Sequence, residues 1–397
     1  MNNTVNELTA EMLGVQSLNF ASMHNSSSRS NMFSNHFAQH LVINGSDEKR
    51  IQTGVEQEFG KYTFSVKMPE NGLIIKIIHR YPKGIDIDSL PFNPETIVIY
   101  ESETTKEIDY ISIPYFASYH QFFGFKYEFK DTLSQLRPGA YIAKDTVFAD
   151  SSSVGENTNY KYGASVNMAF MSLPSVSEDG VMICRDVLDK FSFNIFETRS
   201  IEFGATHFPL NLYGSKFNYK PFPDIGDYIR EDGLLMIVRP YDNDLMPVEM
   251  SVYDTMEPDY IFDKGTYVRG GKGKIVDIKV IANNSVNRQL PANMTAHIER
   301  YNRAFVKFHQ DIVDTEAQIR YERKRKFGES KLKISPKFHR LLVESLAITN
   351  YNEKKLKQPL KLLYRKNTID EYRIEFTIEY KITPGIGYKL TDCSGGK

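Results

Sequence analysis

The stretch Tyr372-Arg-Ile374-Glu-Phe376-Thr-Ile378-Glu-Tyr380-Lys-Ile382 carries an apolar side chain at every second position. Successive strand residues point to opposite faces of a sheet, so this period of two predicts a strand with one face in a core. Pro384-Gly385 stops it. Upstream the period changes. Tyr301, Phe305, Phe308, Ile312 and Ile319 share one stripe of a long helix. Phe338, Leu341, Leu342, Ser345 and Leu346 mark a second, shorter one.

Farther back, VMIC at 181–184, FSFNIF at 191–196, LLMIV at 234–238 and IVDIKVI at 275–281 are strand candidates. So are LIIKIIH, IVIY and EIDYISI between Tyr62 and Ile113, separated by Pro, Gly and Asn. The N-terminal part reads as polar loops around short helices, one of them within Asn31 to Val42. DSSSVGENTN at 150–159 reads as a polar loop. The order is β-rich, then a helical hairpin, then β again. The fold class is therefore α+β and β-rich, a β domain interrupted by an insertion.

Length and charge exclude several classes. The 397 residues suffice for two or three domains, and a net charge of −1 gives no global electrostatic signature. Cys184 and Cys393 are too few for a disulfide framework or a Cys-rich zinc site, which suits a reducing compartment. The N-terminus lacks the basic and apolar regions of a signal peptide. No apolar run approaches the roughly 18 residues that span a bilayer. A soluble intracellular protein, or one delivered into a cell, is expected, with no membrane partner.

Stock catalytic motifs fail. RGGKGK at 269–274 lacks the spacing and the Ser/Thr of a phosphate-binding loop and reads as a Gly-rich turn between strands. His36 and His40 stand one helical turn apart without the Glu of a zinc-protease motif. No serine sits in a G-x-S-x-G context, and Asp86 and Asp88 read as surface carboxylates. Nine Lys or Arg between Arg320 and Arg340, against only Glu322 and Glu329, form a solvated helix face or a phosphate-contacting patch. Glu178-Asp179 places two carboxylates in a turn, as charge at a strand mouth or as caps on backbone amides. In TPGIGYKLTDCSGGK, Lys389 and Lys397 flank a Gly-rich loop. Glycine permits close backbone approach and ammonium groups meet phosphates as point charges, so the segment reads as a polyphosphate or nucleic-acid contact, or as a flexible basic tail.

These pieces, in order and spacing, resemble the β-type, second-largest subunit of multisubunit DNA-directed RNA polymerases. Lys389 and Lys397 match the lysines of the family's Pro-Gly-Asp-Lys and Arg-His-Gly-x-Lys-Gly motifs. Glu178 and Asp179 match an acidic pair in a segment similar to YGASVNMAFMSLPSVSEDGVMIC. Arg29, Asn35 and Gln39 match positions in SSSRSNMFSNHFAQHLV, followed by TGVE at 53–56. The chain departs from the pattern at Gly387-Tyr388, which replace the expected Asp, at Cys393-Ser394, which replace Arg-His, at Ala38, which replaces a basic residue, and in a shorter turn before Glu178.

The resemblance implies a double-psi β-barrel lobe interrupted by a flap-like insertion with a helical hairpin. Residues 1–190 form the first part of the barrel-bearing lobe, 191–290 a flap-like β region, 291–355 a basic helical insertion, and 356–397 returning strands and the lysine loop. It further implies a subunit fragment, similar to the split subunits of very large bacteriophages, that begins after the family's N-terminal lobes and stops inside the lysine motif. Lys389 and Lys397 become catalytic residues; Arg29, Asn35, Gln39, Glu178 and Asp179 bind nucleotide or RNA. Mg2+ is held mainly by a β′-type partner, with no metal ligand in this chain. The implied partners are β′-type chains, the remaining β-type fragments, DNA template, RNA product, nucleoside triphosphates and a promoter-specificity factor, in the cytoplasm of an infected cell or packaged in a virion. The competing class is a non-catalytic nucleic-acid-binding or virion structural protein on the same fold. A stand-alone phosphate-handling enzyme lacks a complete constellation.

Overall fold

Strand β15 (Tyr372–Ile382) lies inside the largest sheet, between two partners, in the order β14 (Lys274–Ala282), β15, β10 (Phe193–Phe203), β6 (Phe123–Lys126) and β5 (Phe116–His120). The structure is a computed structural model and describes residues 2–61, 64–81, 91–155, 157–174, 180–204, 206–240, 253–282, 292–328, 332–349 and 372–385. Tyr372, Ile374, Phe376, Ile378 and Tyr380 are all buried, as the period of two requires. Each such side chain contributes about 1.5–3 kcal/mol by leaving water. The alternation ends at Glu379, which is buried as well and pairs with Lys126 at 2.9 Å. The antiparallel register of β10 on β15 runs without a shift from Phe193 opposite Ile382 to Phe203 opposite Tyr372.

Three smaller sheets surround this one. The first joins β4 (Ile108–Pro114), β3 (Glu95–Ser102), β2 (Gly72–His79) and β8 (Tyr141–Ile142); the second, β1 (Ser65–Lys67), β9 (Val147–Asp150) and β7 (Glu128–Phe129); the third, β11 (His207–Pro209), β12 (Leu234–Pro240) and β13 (Lys264–Tyr267). The protein is mixed α/β and β-rich, with a sheet curled into a half-barrel. Its helices are α1 (Asn2–Leu13), α2 (Ser27–Ala38), α3 (Glu56–Gly60), α4 (Asp131–Ser134), α5 (Ala292–Phe327) and α6 (Pro336–Thr349).

Helix α5 is 36 residues long, about 54 Å at 1.5 Å per residue, and joins two cores. Ile298, Tyr301 and Ala304 pack with Phe376 and Ile278 under the large sheet. One turn further on, Phe308 and Ile312 pack with Ile78, Ile97 and Ile99. Helix α6 adds Phe338 and Leu342 to the second core. Its start is set by Ser335, whose Oγ accepts from Phe338 N at 3.0 Å, with Pro336 at the first helical position. Ser335 N also donates to Ile108 O at 3.0 Å, which ties the hairpin to β4.

A buried guanidinium locks the sheets together. Arg80, just after β2, donates to Asp277 of β14 at 2.6 Å and also pairs with Glu95 of β3, which accepts from Ser112 at 2.7 Å. Tyr81 donates to the Ile278 carbonyl alongside. Burial pushes the Glu95 carboxyl up, but the Arg80 guanidinium and the Ser112 hydroxyl outweigh it and hold the group below the usual carboxylate range.

Three expectations change. VMIC at 181–184 is not a strand: the segment is irregular, Val181 and Met182 are exposed, and a 3-10 turn follows at Arg185–Phe191. Among the described residues no strand lies beside it to supply ladder partners, and four apolar residues in a row do not themselves set a period. The helix placed within Asn31–Val42 begins earlier, at Ser27, because Ser26 Oγ accepts from Arg29 N at 3.4 Å and caps it. The first part of the polar loop at 150–159, residues 151–155, is inside the protein. Ser151 and Ser153 share a hydrogen bond at 2.6 Å and Ser152 donates to Ile43 O at 2.7 Å.

Arg80→Met leaves the Asp277 carboxylate buried without its counter-charge and lowers the unfolding free energy by about 3–5 kcal/mol in chemical denaturation. The double variant Arg80→Met/Asp277→Leu loses clearly less. His309, buried on α5 with Nδ1 3.0 Å from Ser345 Oγ, is drawn down to about 3 by burial, with Arg80 and Lys279 adding to the effect. Such a group binds its proton more readily in the unfolded chain. The stability it confers is complete above about pH 6.5 and falls as pH drops toward 3. Thermal melts are expected to lose midpoint between pH 7 and pH 5, and His309→Asn to flatten that loss.

Candidate nucleic-acid interface

Helix α2 carries Arg29, Asn35 and Gln39, the last as its C-cap, and all three side chains are exposed. At about 100° per residue, Asn35 and Gln39 lie on nearly the same line of the helix and Arg29 about a quarter-turn away. The opposite side is held by aromatic packing. Phe37 lies 4.7 Å from the Tyr162 ring and 5.9 Å from Tyr160, edge to face. His40 places Nδ1 against Phe37 O and Nε2 3.0 Å from Tyr160 Oη, so both ring nitrogens are engaged, and burial lowers its pKa. Lys49 sits 3.6 Å over the Tyr162 ring and donates to Leu18 O; burial draws its ammonium down to about 8 against the pull of Glu56. Glu56 itself, the last residue of TGVE, is buried and accepts from Thr53 N at 2.9 Å and Gly54 N at 2.8 Å. That motif is a structural clip.

Beyond α2 the chain is stitched to the start of β10. Asn44 N donates to Ser192 O at 2.7 Å, Gly45 N donates to Lys190 O at 3.1 Å, and the Asn44 side chain bonds Ser192 and Asn194. Gly45 is required by this approach: a Cβ there would fall 2.5 Å from Lys190 Cα. The start of β10 in turn pairs with the end of β15, Phe193 opposite Ile382, and Lys381 Nζ reaches within 3.9 Å of Asp189. The Gly-rich turn RGGKGK joins β13 to β14 at this same end, where Arg269 O accepts from Tyr380 Oη at 2.6 Å. Arg269 and Lys272 are exposed there.

Three chain segments therefore meet at one end of the large sheet: the run after α2, the entry to β10, and the exit of β15. Glu178 and Asp179, on the chain leading into β10, and Lys389 and Lys397, beyond β15, lie outside the described residues. Residues 165–172 are irregular and exposed, with Met168, Phe170 and Met171 all at the surface and Phe170 90 % accessible.

The basic run of the hairpin divides in two. Arg323 pairs with Glu101 at 2.8 Å and Lys337 donates to Tyr110 O while lying over its ring, so these two hold the hairpin on the sheet, while Arg320 pairs with Glu316 within α5. Lys324, Arg325 and Lys326 stand exposed at the end of α5.

One cluster has no counterpart in the sequence reading. A cavity of about 440 Å³ opens between the first turns of α5 and the turn at 213–220, lined by Lys216, Asn218, Asn293, His297, Arg300 and Arg303. The spacing of His297, Arg300 and Arg303, three apart on one helix face, is a usable signal; Lys216 arrives from a separate loop and gives none.

Among the described residues no group of three or more His, Cys, Asp or Glu is placed to hold a metal ion, and no helix is long and apolar enough to cross a membrane. No protein-family model matches the chain and no curated protein matches its sequence.

Gly45→Ala forces the run after α2 away from the entry to β10. Hydrogen exchange is expected to accelerate at Asn44 and Gly45 and to stay unchanged in β2 and β3.

Proposed function

We propose that this chain is a segment of the β-type subunit of a multisubunit DNA-directed RNA polymerase and works only within the assembled enzyme. The observation that supports the reading is that residues flanking the three family-like segments, around 44, 193 and 382, are bonded to one another at one end of the large sheet. Chance has no reason to bring residues around 44, 193 and 382 into one hydrogen-bonded junction when each flanks a motif found independently. The curled sheet fits one part of a double-psi β-barrel. The exposed apolar run around Phe170, beside the acidic pair in the chain, suits a surface that other subunits cover.

In this reading Lys389 and Lys397 present ammonium groups to the RNA 3′ end and the phosphates of the incoming nucleotide. There they offset charge that develops as the 3′-hydroxyl attacks the α-phosphate in line. Arg29 contacts the triphosphate, Asn35 and Gln39 line the nucleotide site, and Glu178 and Asp179 bias the path of a second ion. The Mg2+ ions lower the cost of charge on the attacking and leaving oxygens and are held by an Asp triad on a β′-type partner. This chain supplies positioning and charge.

The test is reconstitution with co-purifying chains. Lys389→Ala and Lys397→Ala are expected to assemble normally and to slow nucleotide addition by about 100-fold, the scale of a lost transition-state charge contact. Unchanged addition with both replaced contradicts the catalytic assignment, and a particle without an Asp-triad chain favours the non-catalytic binding protein.

A further inference from the structure

The cavity between α5 and the 213–220 turn lies apart from the junction just described and does not share its residues. Its chemistry is cationic. Arg300 is committed, donating to Asp224 at 3.1 Å and to His297 Nδ1 at 3.0 Å. Asp224 also accepts from Lys220 at 2.5 Å and from Tyr301 Oη at 2.7 Å, so its charge is spent within the wall. Lys216 and Arg303 form no ion pair with any described residue, and Asn218 and Asn293 add amide groups to the lining. The first turns of α5 contribute the positive end of a long helix. His297, buried against Phe222 at 4.6 Å, is drawn down to about 4 by burial and is neutral at pH 7, so the cations are the arginines and the lysine.

The turn that carries Lys216 is braced by its own residues. Asn211, fully buried, accepts from Lys220 N at 2.7 Å and donates to Ser215 O at 3.3 Å, which closes the loop from inside. Ser215 N donates to Asn218 O at 2.9 Å. Gly214 fits where a Cβ would come within 2.0 Å of Asn211 Oδ1. At the tip of this braced turn stands Phe217, 96 % exposed. An exposed phenyl ring, beside two cations that form no ion pair with any described residue, adds no packing to the fold. It is the arrangement of a stacking platform next to a phosphate site.

We infer that this cavity binds a nucleoside phosphate, with the phosphate between Lys216 and Arg303 and the base stacked on Phe217. A volume of about 440 Å³ lies in the range of small-ligand pockets and admits one nucleotide unit. The bound unit comes either from a free nucleotide or from one residue of a single strand, since both present the same phosphate and the same flat base. The inference holds whether or not the chain is a polymerase subunit.

The experiment uses the full chain and three probes: inorganic phosphate, AMP and a short labelled oligoribonucleotide, followed by calorimetry and fluorescence anisotropy. Lys216→Ala/Arg303→Ala and Phe217→Ala change exposed side chains, and unchanged melting midpoints confirm that the fold is kept. The double variant is expected to weaken AMP and the oligonucleotide by about tenfold or more. Phe217→Ala is expected to weaken both by about tenfold while leaving inorganic phosphate unaffected. AMP binding as tightly as the oligonucleotide identifies a free-nucleotide site; tighter oligonucleotide binding identifies a strand. The inference is overturned by three results: no binding of AMP or oligonucleotide by the unaltered chain, affinities that neither variant changes, or AMP binding no tighter than phosphate. Loss of polymerase activity in the Lys389 and Lys397 variants, with this binding intact, separates the two sites.

Discussion

The antiparallel pairing of β10 with β15 is the constraint on which the rest of the molecule depends. It joins residues 193–203 to residues 372–382 without a break in register. Closing so long a loop costs chain entropy, and the apolar face of β15, packed on β14 and α5, offsets it. The pairing also sorts the chain into two ends. At the Phe203–Tyr372 end the chain departs on the long excursion that builds the β11–β12–β13 sheet and the helical hairpin. At the Phe193–Ile382 end the entry to β10 and the exit of β15 lie side by side, with the run after α2 bonded to the former.

A second bond system keeps that sorting from slipping. Arg80 reaches Asp277 on β14 and Glu95 on β3, so the sheet that bears the junction and the sheet that bears the hairpin share one guanidinium. A buried ion set of this kind adds little net stability compared with an apolar core, but it penalises every alternative register that separates its members. Helix α5 runs across the same seam, with Tyr301 in one core and Phe308 in the other. The excursion is thereby fastened to the body at a place remote from the motif end.

Much of this was legible in the residues because it rests on local periodicity. The alternation of Tyr372 to Tyr380 and the stripe from Tyr301 to Ile312 each state their own burial, and both are buried. What was hidden depends on distant partners. Arg80 sits in a His-Arg-Tyr-Pro context that reads as the end of a strand, and its partner Asp277 is 197 positions away. Strands β5 to β9 are short and interleaved with turns, too brief to set a period. Ser151 to Ser153 look like solvent-facing loop but are buried, because Ile43 O, Phe64 O and one another satisfy their polar groups. The cavity at His297 was invisible for the same reason, since half of its lining comes from a turn nearly eighty positions earlier. The motif residues of α2 were legible by resemblance and lie exposed on one helix, whereas the two lysines and the acidic pair fall beyond the described residues.

The central claim is that the exit of β15 delivers two ammonium groups to the nucleotide and the RNA end. Affinity labelling of the assembled particle tests it most directly: a priming nucleotide carrying a lysine-reactive aldehyde is attached, reduced in place, extended with a radiolabelled nucleotide, and the labelled peptide is mapped. The account predicts label on Lys389 or Lys397. Label confined to other lysines of this chain, or to other subunits alone, contradicts it.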